Sequence, residues 1–289
     1  MDFKTISIED KNLIDRYLKI DGEIMTERCF ADLFVWKDTY NTKFCIEDDM
    51  LFLLFGREIK SYGVPLGYGD IYYALKKIKE DAKSRGIPCR IWGITKNNLE
   101  VFKEYCPTPT RDSFDYIYDV EEFRELRGKK LHSKRNFVNR FKSENEGNWE
   151  YRDIDFNDTD EIFKFLDKWY KNSALSENDK KAEKNAITLA LQNAEALRLL
   201  GGTVYLNGEI IAFSLAAPQN DEVVDVLFEK AFPEIKGAYQ IISNEFCKNC
   251  FGSFKYINRE EDMGIEGLRK AKLSYSPIFL TEKYEAIIN

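Results

Sequence analysis

A mixed α/β protein built from two tandem units is the fold class this sequence predicts, on three observations. The 289 residues exceed one small core and suit two domains of ordinary size. The second half reads β-α-α-β-β-β-α-β-α-β, a mixed sheet with helices on its faces, and the first half shows a degraded version of that order. Between them, residues 127–142 carry seven Lys/Arg and no Asp/Glu, in a chain of formal net charge −7. We therefore divide the chain into 1–125 and 126–289, the second unit opening with a basic linking helix, and expect a tandem duplication.

The elements follow in order. Residues 7–20 form an amphipathic helix with Leu13, Ile14, Tyr17 and Leu18 on one side, and Ser7 with Asp10 supplies an N-terminal capping pattern. A short helix at 28–39 precedes two strand-like runs, 43–47 and 50–55, whose separation by Asp48-Asp49 signals a hairpin. A third strand at 59–64 leads through the turn 67–70 into a helix at 70–84, which Gly86 ends. A strand at 90–94, a helix at 96–105 and an alternating strand at 113–120 complete the first half. In the second half the basic helix is followed by a strand at 149–154 and helices at 157–172 and 179–200. Strands at 202–207 and 209–217 flank Asn207-Gly208, a type I′ hairpin signal. A strand at 223–229, a helix at 237–251, a strand at 254–258, a helix at 264–273 and a final strand at 279–288 close the chain.

Composition excludes several classes. Apolar residues make up 44% of the chain and aromatics 14%, enough to bury cores, so the protein is globular and not disordered. No apolar run is long enough to span a membrane, and the N-terminus has no signal-peptide core. The six cysteines are scattered, which reads as reduced thiols in a cytoplasmic protein. Cys247 and Cys250 form a CxxC inside a helix, with no second pair or nearby histidine to complete a metal site. His132 is the single histidine, which argues against a Ser-His-Asp triad or a multi-histidine centre. G-x-S-x-G, P-loop and G-x-G-x-x-G motifs are absent.

Three segments carry a resemblance: 129–141, 228–240 and 256–277. The longest reads Tyr-Ile-Asn-Arg-Glu-Glu-Asp-Met-Gly-Ile-Glu-Gly-Leu-Arg-Lys-Ala-Lys-Leu-Ser-Tyr-Ser-Pro. With the element order, they make the chain resemble the GNAT acyltransferase fold and, more closely, the soluble family related to the C-terminal domain of phosphatidylglycerol lysyltransferases. The resemblance implies two GNAT-like units side by side and transfer of an aminoacyl group from tRNA. The membrane-bound members transfer it to a lipid headgroup, and their membrane-spanning part has no counterpart in this sequence.

The chemistry expected by resemblance centres on the second unit. In GNAT enzymes a Gln/Arg-x-x-Gly-x-Gly/Ala loop at a helix N-terminus holds the pyrophosphate of coenzyme A. Lys236, Gly237 and Ala238 occupy that loop here. Glu234 stands where Gln/Arg is usual, and Tyr239 stands for the last small residue. The carboxylate repels a pyrophosphate and the ring obstructs close backbone approach. The end of the 254–258 strand should lie beside the cleft, so Arg259, Glu260, Glu261 and Asp262 are candidates to hold a cationic amine or an acidic group. One of Glu260 and Asp262, or Glu229 on the preceding strand, would be a general base. Otherwise the run is a solvated loop. On a wheel of 100° per residue, Leu131, Phe137, Val138 and Phe141 share an arc that also contains Lys134, with Lys130 near its edge. Lys134 is therefore directed inward, toward a phosphate or a developing oxyanion, or else snorkels from the apolar face. Arg135 and Lys142 flank the arc and suit the phosphates of a nucleic acid or, through peripheral contact, of a lipid surface. Tyr275 is a candidate leaving-group acid, with Lys272 beside it as a substrate contact.

The leading expectation is an aminoacyltransferase that uses aminoacyl-tRNA or an acyl-CoA as donor substrate and has no resident cofactor or metal. The alternatives are a coenzyme A-dependent N-acetyltransferase and a non-enzymatic module that binds RNA or an anionic metabolite.

Overall fold

The computed structural model describes residues 1–288. It divides into two compact units, one of residues 1–115, 261–264 and from 280 on, the other of 116–260 and 265–279.

In the first unit, β1 (Lys4–Thr5) precedes a turn in which the Ser7 N–H and hydroxyl both donate to Asp10, at 3.0 and 2.8 Å. Helices α1 (Lys11–Leu18), α2 (Phe30–Val35) and α3 (Lys37–Tyr40) follow. Strands β2 (Lys43–Glu47) and β3 (Met50–Phe55) form the expected hairpin. Asp48 and Asp49 turn it with φ of 51° and 56°, the left-handed pair that a type I′ turn requires. After β4 (Ser61–Gly63) and β5 (Leu66–Gly67), α4 (Ile71–Arg85) starts where the Asp70 carboxylate accepts the N–H groups of Tyr72 and Tyr73. It stops at Gly86, whose φ of 66° suits a residue without Cβ. Strands β6 (Arg90–Ile94) and β7 (Thr108–Pro109) complete this part of the chain. The helix expected at 96–105 is a 3-10 helix over Leu99–Tyr105, because the Asn98 side chain accepts the Thr95 N–H and turns the chain first.

The second unit contains β8 (Asp115–Asp119), α5 (Val120–Glu125), α6 (His132–Glu144) and β9 (Trp149–Asp153). Helices α7 (Asp160–Lys171), α8 (Glu177–Gln192) and α9 (Ala194–Leu197) precede the meander β10 (Leu200–Leu206), β11 (Glu209–Pro218) and β12 (Val223–Ala231). Then come α10 (Ala238–Cys250), β13 (Tyr256–Asn258), α11 (Glu266–Leu273) and β14 (Phe279–Thr281), and the chain ends back in the first unit with β15 (Tyr284–Ile287). Helix α5 was not foreseen. Asp119 caps it by accepting the Glu122 N–H, where the sequence pattern let the strand run on to Val120.

One sheet has the order β1-β2-β3-β4-β6-β15-β7, with β5 also on β3; the other runs β14-β8-β13-β12-β11-β10-β9. Two strands therefore change sheets relative to the sequence reading. Strand β8, expected to close the first sheet, pairs with β13 in the second, and β15, expected in the second sheet, lies between β6 and β7 in the first. Alternation marks a segment as a strand and picks its buried face, but its partner is a long-range choice that alternation does not encode. Ala286 and Ile288 join the core of Phe52, Tyr62, Ile78 and Ile91. Among the described residues no helix is long and apolar enough to cross a membrane.

Candidate active site in the second unit

In the second sheet β12 and β13 form a parallel ladder, and it stops at Asp225 and Asn258 because β13 ends there. Among the described residues, the remainder of β12 has no strand neighbour on that side. Side chains bridge this opening. Arg259, the residue after β13, places a guanidinium nitrogen 2.6 Å from Glu229 on β12. From α10, the Ser243 hydroxyl donates to the same carboxylate, at 2.9 and 2.8 Å from its two oxygens. Three rings surround the guanidinium: Tyr275 at 5.2 Å, Phe123 at 5.4 Å and Tyr118 at 6.0 Å from its central carbon. Phe123 and Tyr275 are stacked, with centroids 4.9 Å apart. Helix α6 buries Val138 and Phe141, with Leu131 buried at its N-cap, and this face carries Lys134 inward until its ammonium lies 4.4 Å from the Tyr275 ring centre. Phe137, expected on that face, is 37% exposed.

The electrostatics are asymmetric. Burial is the largest influence on Arg259 and opposes its charge, but Glu229, together with Tyr118, Tyr275 and Cys247, more than offsets it and holds the guanidinium above its usual range. Lys134 is half-buried and meets no carboxylate among the described residues. Burial and, after it, the repulsion of Arg259 hold its ammonium below the usual lysine range. Burial pushes the Tyr275 hydroxyl up to about 12, against the pull of Arg259, so it keeps its proton at neutral pH. The cluster of Lys134, Glu229, Arg259 and Tyr275 thus has one cation in excess.

The other sequence candidates are distributed differently. Lys272 is buried, and its ammonium donates to the backbone carbonyls of Arg259 and Glu260. Glu260 has a φ of 56°. Asp262 belongs to the first unit, where it is fully buried, pairs with Arg111 at 3.0 Å and accepts the Gly264 N–H. Glu261 belongs there too and acts electrostatically on Asp115 and Lys283. Lys130 lies exposed in the turn before α6. Arg135 donates to the Leu126 carbonyl at 2.6 Å, and Lys142 pairs with Glu245 at 2.7 Å. His132 is exposed beside Asn136. Lys236 is exposed; Gly237, with φ of 90°, caps α10, and the Ala238 N–H is already bonded to the Ile235 carbonyl. A Cβ on Gly237 would lie 3.2 Å from Phe141 Cβ and 3.3 Å from the Phe137 carbonyl, so α6 fills the space over this loop. Burial pushes Cys247 up to about 12 and Cys250 up to about 11.

Ser243, Phe123 and Tyr118 were not singled out from the sequence. The one available signal was a lone serine among Ile241, Ile242, Phe246 and Cys247 on the buried side of α10.

The family model for the C-terminal part of phosphatidylglycerol lysyltransferase matches residues 23–287. The chain belongs to this family. Among solved structures, a conserved protein of unknown function from Bacteroides thetaiotaomicron is 36% identical, with a TM-score of 0.93 and full coverage of both chains. The L-PGS from Bacillus licheniformis is 16% identical with a TM-score of 0.66, over 98% of this chain and 92% of its own. A tandem GNAT protein from the clavulanic acid biosynthesis pathway is 8% identical with a TM-score of 0.54, over 99% and 98%. At such identities these last two establish the shared fold: mixed sheets in two tandem GNAT-like units. An uncharacterized protein from Mycoplasmoides gallisepticum is 24% identical over 198 residues, 67% of this chain; the match spans 60% of that relative's length.

Proposed function

We propose that the second unit of this lysyltransferase-family chain catalyses acyl transfer, moving an aminoacyl group from an activated ester such as aminoacyl-tRNA to an amine or hydroxyl acceptor. The observation that carries the reading is Lys134, a half-buried cation that meets no carboxylate among the described residues, beside Arg259 and over Tyr275. A carbonyl that becomes an oxyanion in its transition state is stabilised by a charge already in place in a water-poor setting.

The acceptor nitrogen or oxygen attacks the ester carbonyl, the bond to the donor oxygen breaks, and one proton passes from acceptor to leaving oxygen. Glu229, held by Ser243 and Arg259, orients the acceptor and takes its proton. Tyr275, which burial keeps protonated at neutral pH, donates a proton to the departing alkoxide. Direct transfer without a covalent enzyme intermediate fits the two raised thiols of α10. The coenzyme A alternative has less support, because Glu234 repels a pyrophosphate and α6 fills the space at Gly237.

The test is transfer of radiolabelled lysine from lysyl-tRNA to phosphatidylglycerol vesicles and to a panel of soluble amines, with wild-type protein and Lys134→Ala. Loss of transfer in the variant supports the reading, and full activity in Lys134→Ala removes it. If tRNA binds in a salt-dependent way and no acceptor is modified, the protein is a binding module instead.

A further inference from the structure

Lys272 stands in the family-like segment as a candidate substrate contact, yet its ammonium points into the protein. It is 9% exposed and donates to the Arg259 carbonyl at 2.5 Å and the Glu260 carbonyl at 3.0 Å. The same two residues are clipped from the other side: the Arg259 N–H donates to the Tyr116 carbonyl at 3.0 Å, and the Tyr116 N–H donates to the Glu260 carbonyl at 3.3 Å. Lys272 is itself fixed. The Tyr118 hydroxyl donates to its carbonyl at 2.8 Å, and the Tyr116 ring lies 5.8 Å from its ammonium.

The clipped backbone needs holding. Glu260 is left-handed, at φ 56°, a conformation in which Cβ crowds the following carbonyl. A buried cation that bonds both flanking carbonyls favours this turn over the extended backbone that residues leaving a strand ordinarily adopt. The turn swings Arg259 off the end of β13 toward Glu229, along the side of β12 that, beyond Asp225, has no strand neighbour among the described residues.

We propose that Lys272 is a positioning residue: by pinning the backbone of Arg259 and Glu260 it sets the guanidinium that organises Glu229, Tyr275 and Lys134. The inference rests on the reading of that cluster as the reacting site, and it requires no direct contact of Lys272 with substrate. The Tyr275 N–H donates to the Lys272 carbonyl at 3.1 Å, so one short segment carries both the anchor and the ring that Lys134 and Arg259 share.

A substrate-free measurement tests this. Arg259 repels the Lys134 ammonium, so the position of the guanidinium is readable in how Lys134 titrates. The full chain is acetylated with trace N-hydroxysuccinimidyl acetate across a pH series, and the rate at each lysine is followed by peptide mass spectrometry. Only the neutral amine reacts. In Arg259→Gln, Lys134 should need a higher pH to react, while remaining easier to deprotonate than exposed lysines, because its burial persists. Lys272→Met should shift Lys134 in the same direction and by a similar amount, with the exposed lysines unmoved. A folded Lys272→Met protein in which Lys134 reacts with the wild-type pH profile overturns the proposal. If Lys272→Met lacks a cooperative melt, Lys272→Gln, which keeps one donor, decides in the same way: a shifted Lys134 profile supports the anchor and an unshifted one refutes it. Because no substrate enters, this result is independent of whether Lys134→Ala retains transfer, which tests the reaction itself.

Discussion

In the first unit, buried cations meet carboxylates. Arg28 lies 2.7 Å from Asp21, and Lys283, 1% exposed, lies 2.7 Å from Glu27 and 3.0 Å from Asp115. Their attraction outweighs the burial that would otherwise discharge Lys283, whose pKa is raised. In the second unit, Lys134 sits half-buried over an aromatic ring with a second cation beside it and, among the described residues, no carboxylate of its own, and its pKa is lowered. Both arrangements desolvate a lysine. Where the counter-charge is built in, the lysine is a structural anchor. Where it is missing, the proposed reaction supplies it, as an anion that arrives or develops during transfer.

The strongest way to break this contrast is to remove each cation. Lys283→Met leaves carboxylates buried without their cation and should cost roughly 3–5 kcal/mol in urea unfolding. Lys134→Met, by contrast, should leave stability unchanged or slightly raised; equal losses in the two variants would dissolve the distinction. For transfer activity the order reverses: Lys134→Ala should lower the rate on the order of 100-fold, the scale of a lost oxyanion contact. Lys283 variants that remain folded should retain most of theirs, as steady-state assays of both would establish.

Gly237→Ala sharpens the comparison within the second unit. It forces a Cβ to 3.2 Å from Phe141 at φ 90°, and should cost about 1–3 kcal/mol of thermal stability. A melt unchanged by this substitution would mean that α6 is not packed over the loop.

The smallest expected effect is a pH dependence from Asp115. Burial, with Glu27 and Glu261 nearby, raises its carboxyl to about 6 despite Lys283. Between the unfolded value, near 4, and about 6, the folded protein holds a proton that the unfolded chain has released. This term therefore makes stability fall as pH rises through that window. Glu27 is lowered by Lys283, although burial opposes the shift, and its contribution is lost as pH falls through still more acid values. Asp115→Asn should flatten the melting-temperature profile between about pH 4.5 and 6. A profile that keeps the wild-type slope there would show that another group titrates.

Much of the scaffold was legible because its determinants are local. The β2–β3 hairpin was readable from two runs around Asp48-Asp49, and α4 from Asp70 at one end and Gly86 at the other. The inward turn of Lys134 followed from its place among Leu131, Val138 and Phe141 at 100° per residue. Helix α5 was missed because Asp119 is both the last residue of a strand and a cap, a double role that period alone does not separate. Ser243 was missed because its partner Glu229 lies on another element, 14 residues away.

The acidic run after β13 shows where such reading stops. As sequence, Arg259-Glu260-Glu261-Asp262 looks like one cluster. In the molecule Arg259 faces Glu229, the Glu260 backbone is held by Lys272, and Asp262 pairs with Arg111. What the sequence determined alone was most of the inventory of helices, strands and turns, α5 and the break between β14 and β15 excepted, together with a basic helix carrying one lysine inward, since these depend on neighbours within a few residues. Which sheet β8 and β15 join, and which cation is left without a counter-charge, only the tertiary structure decided. Those outcomes depend on residues such as Ile94 and Tyr284, or Lys134 and Tyr275, that are distant in the chain and are coupled only through desolvation and packing.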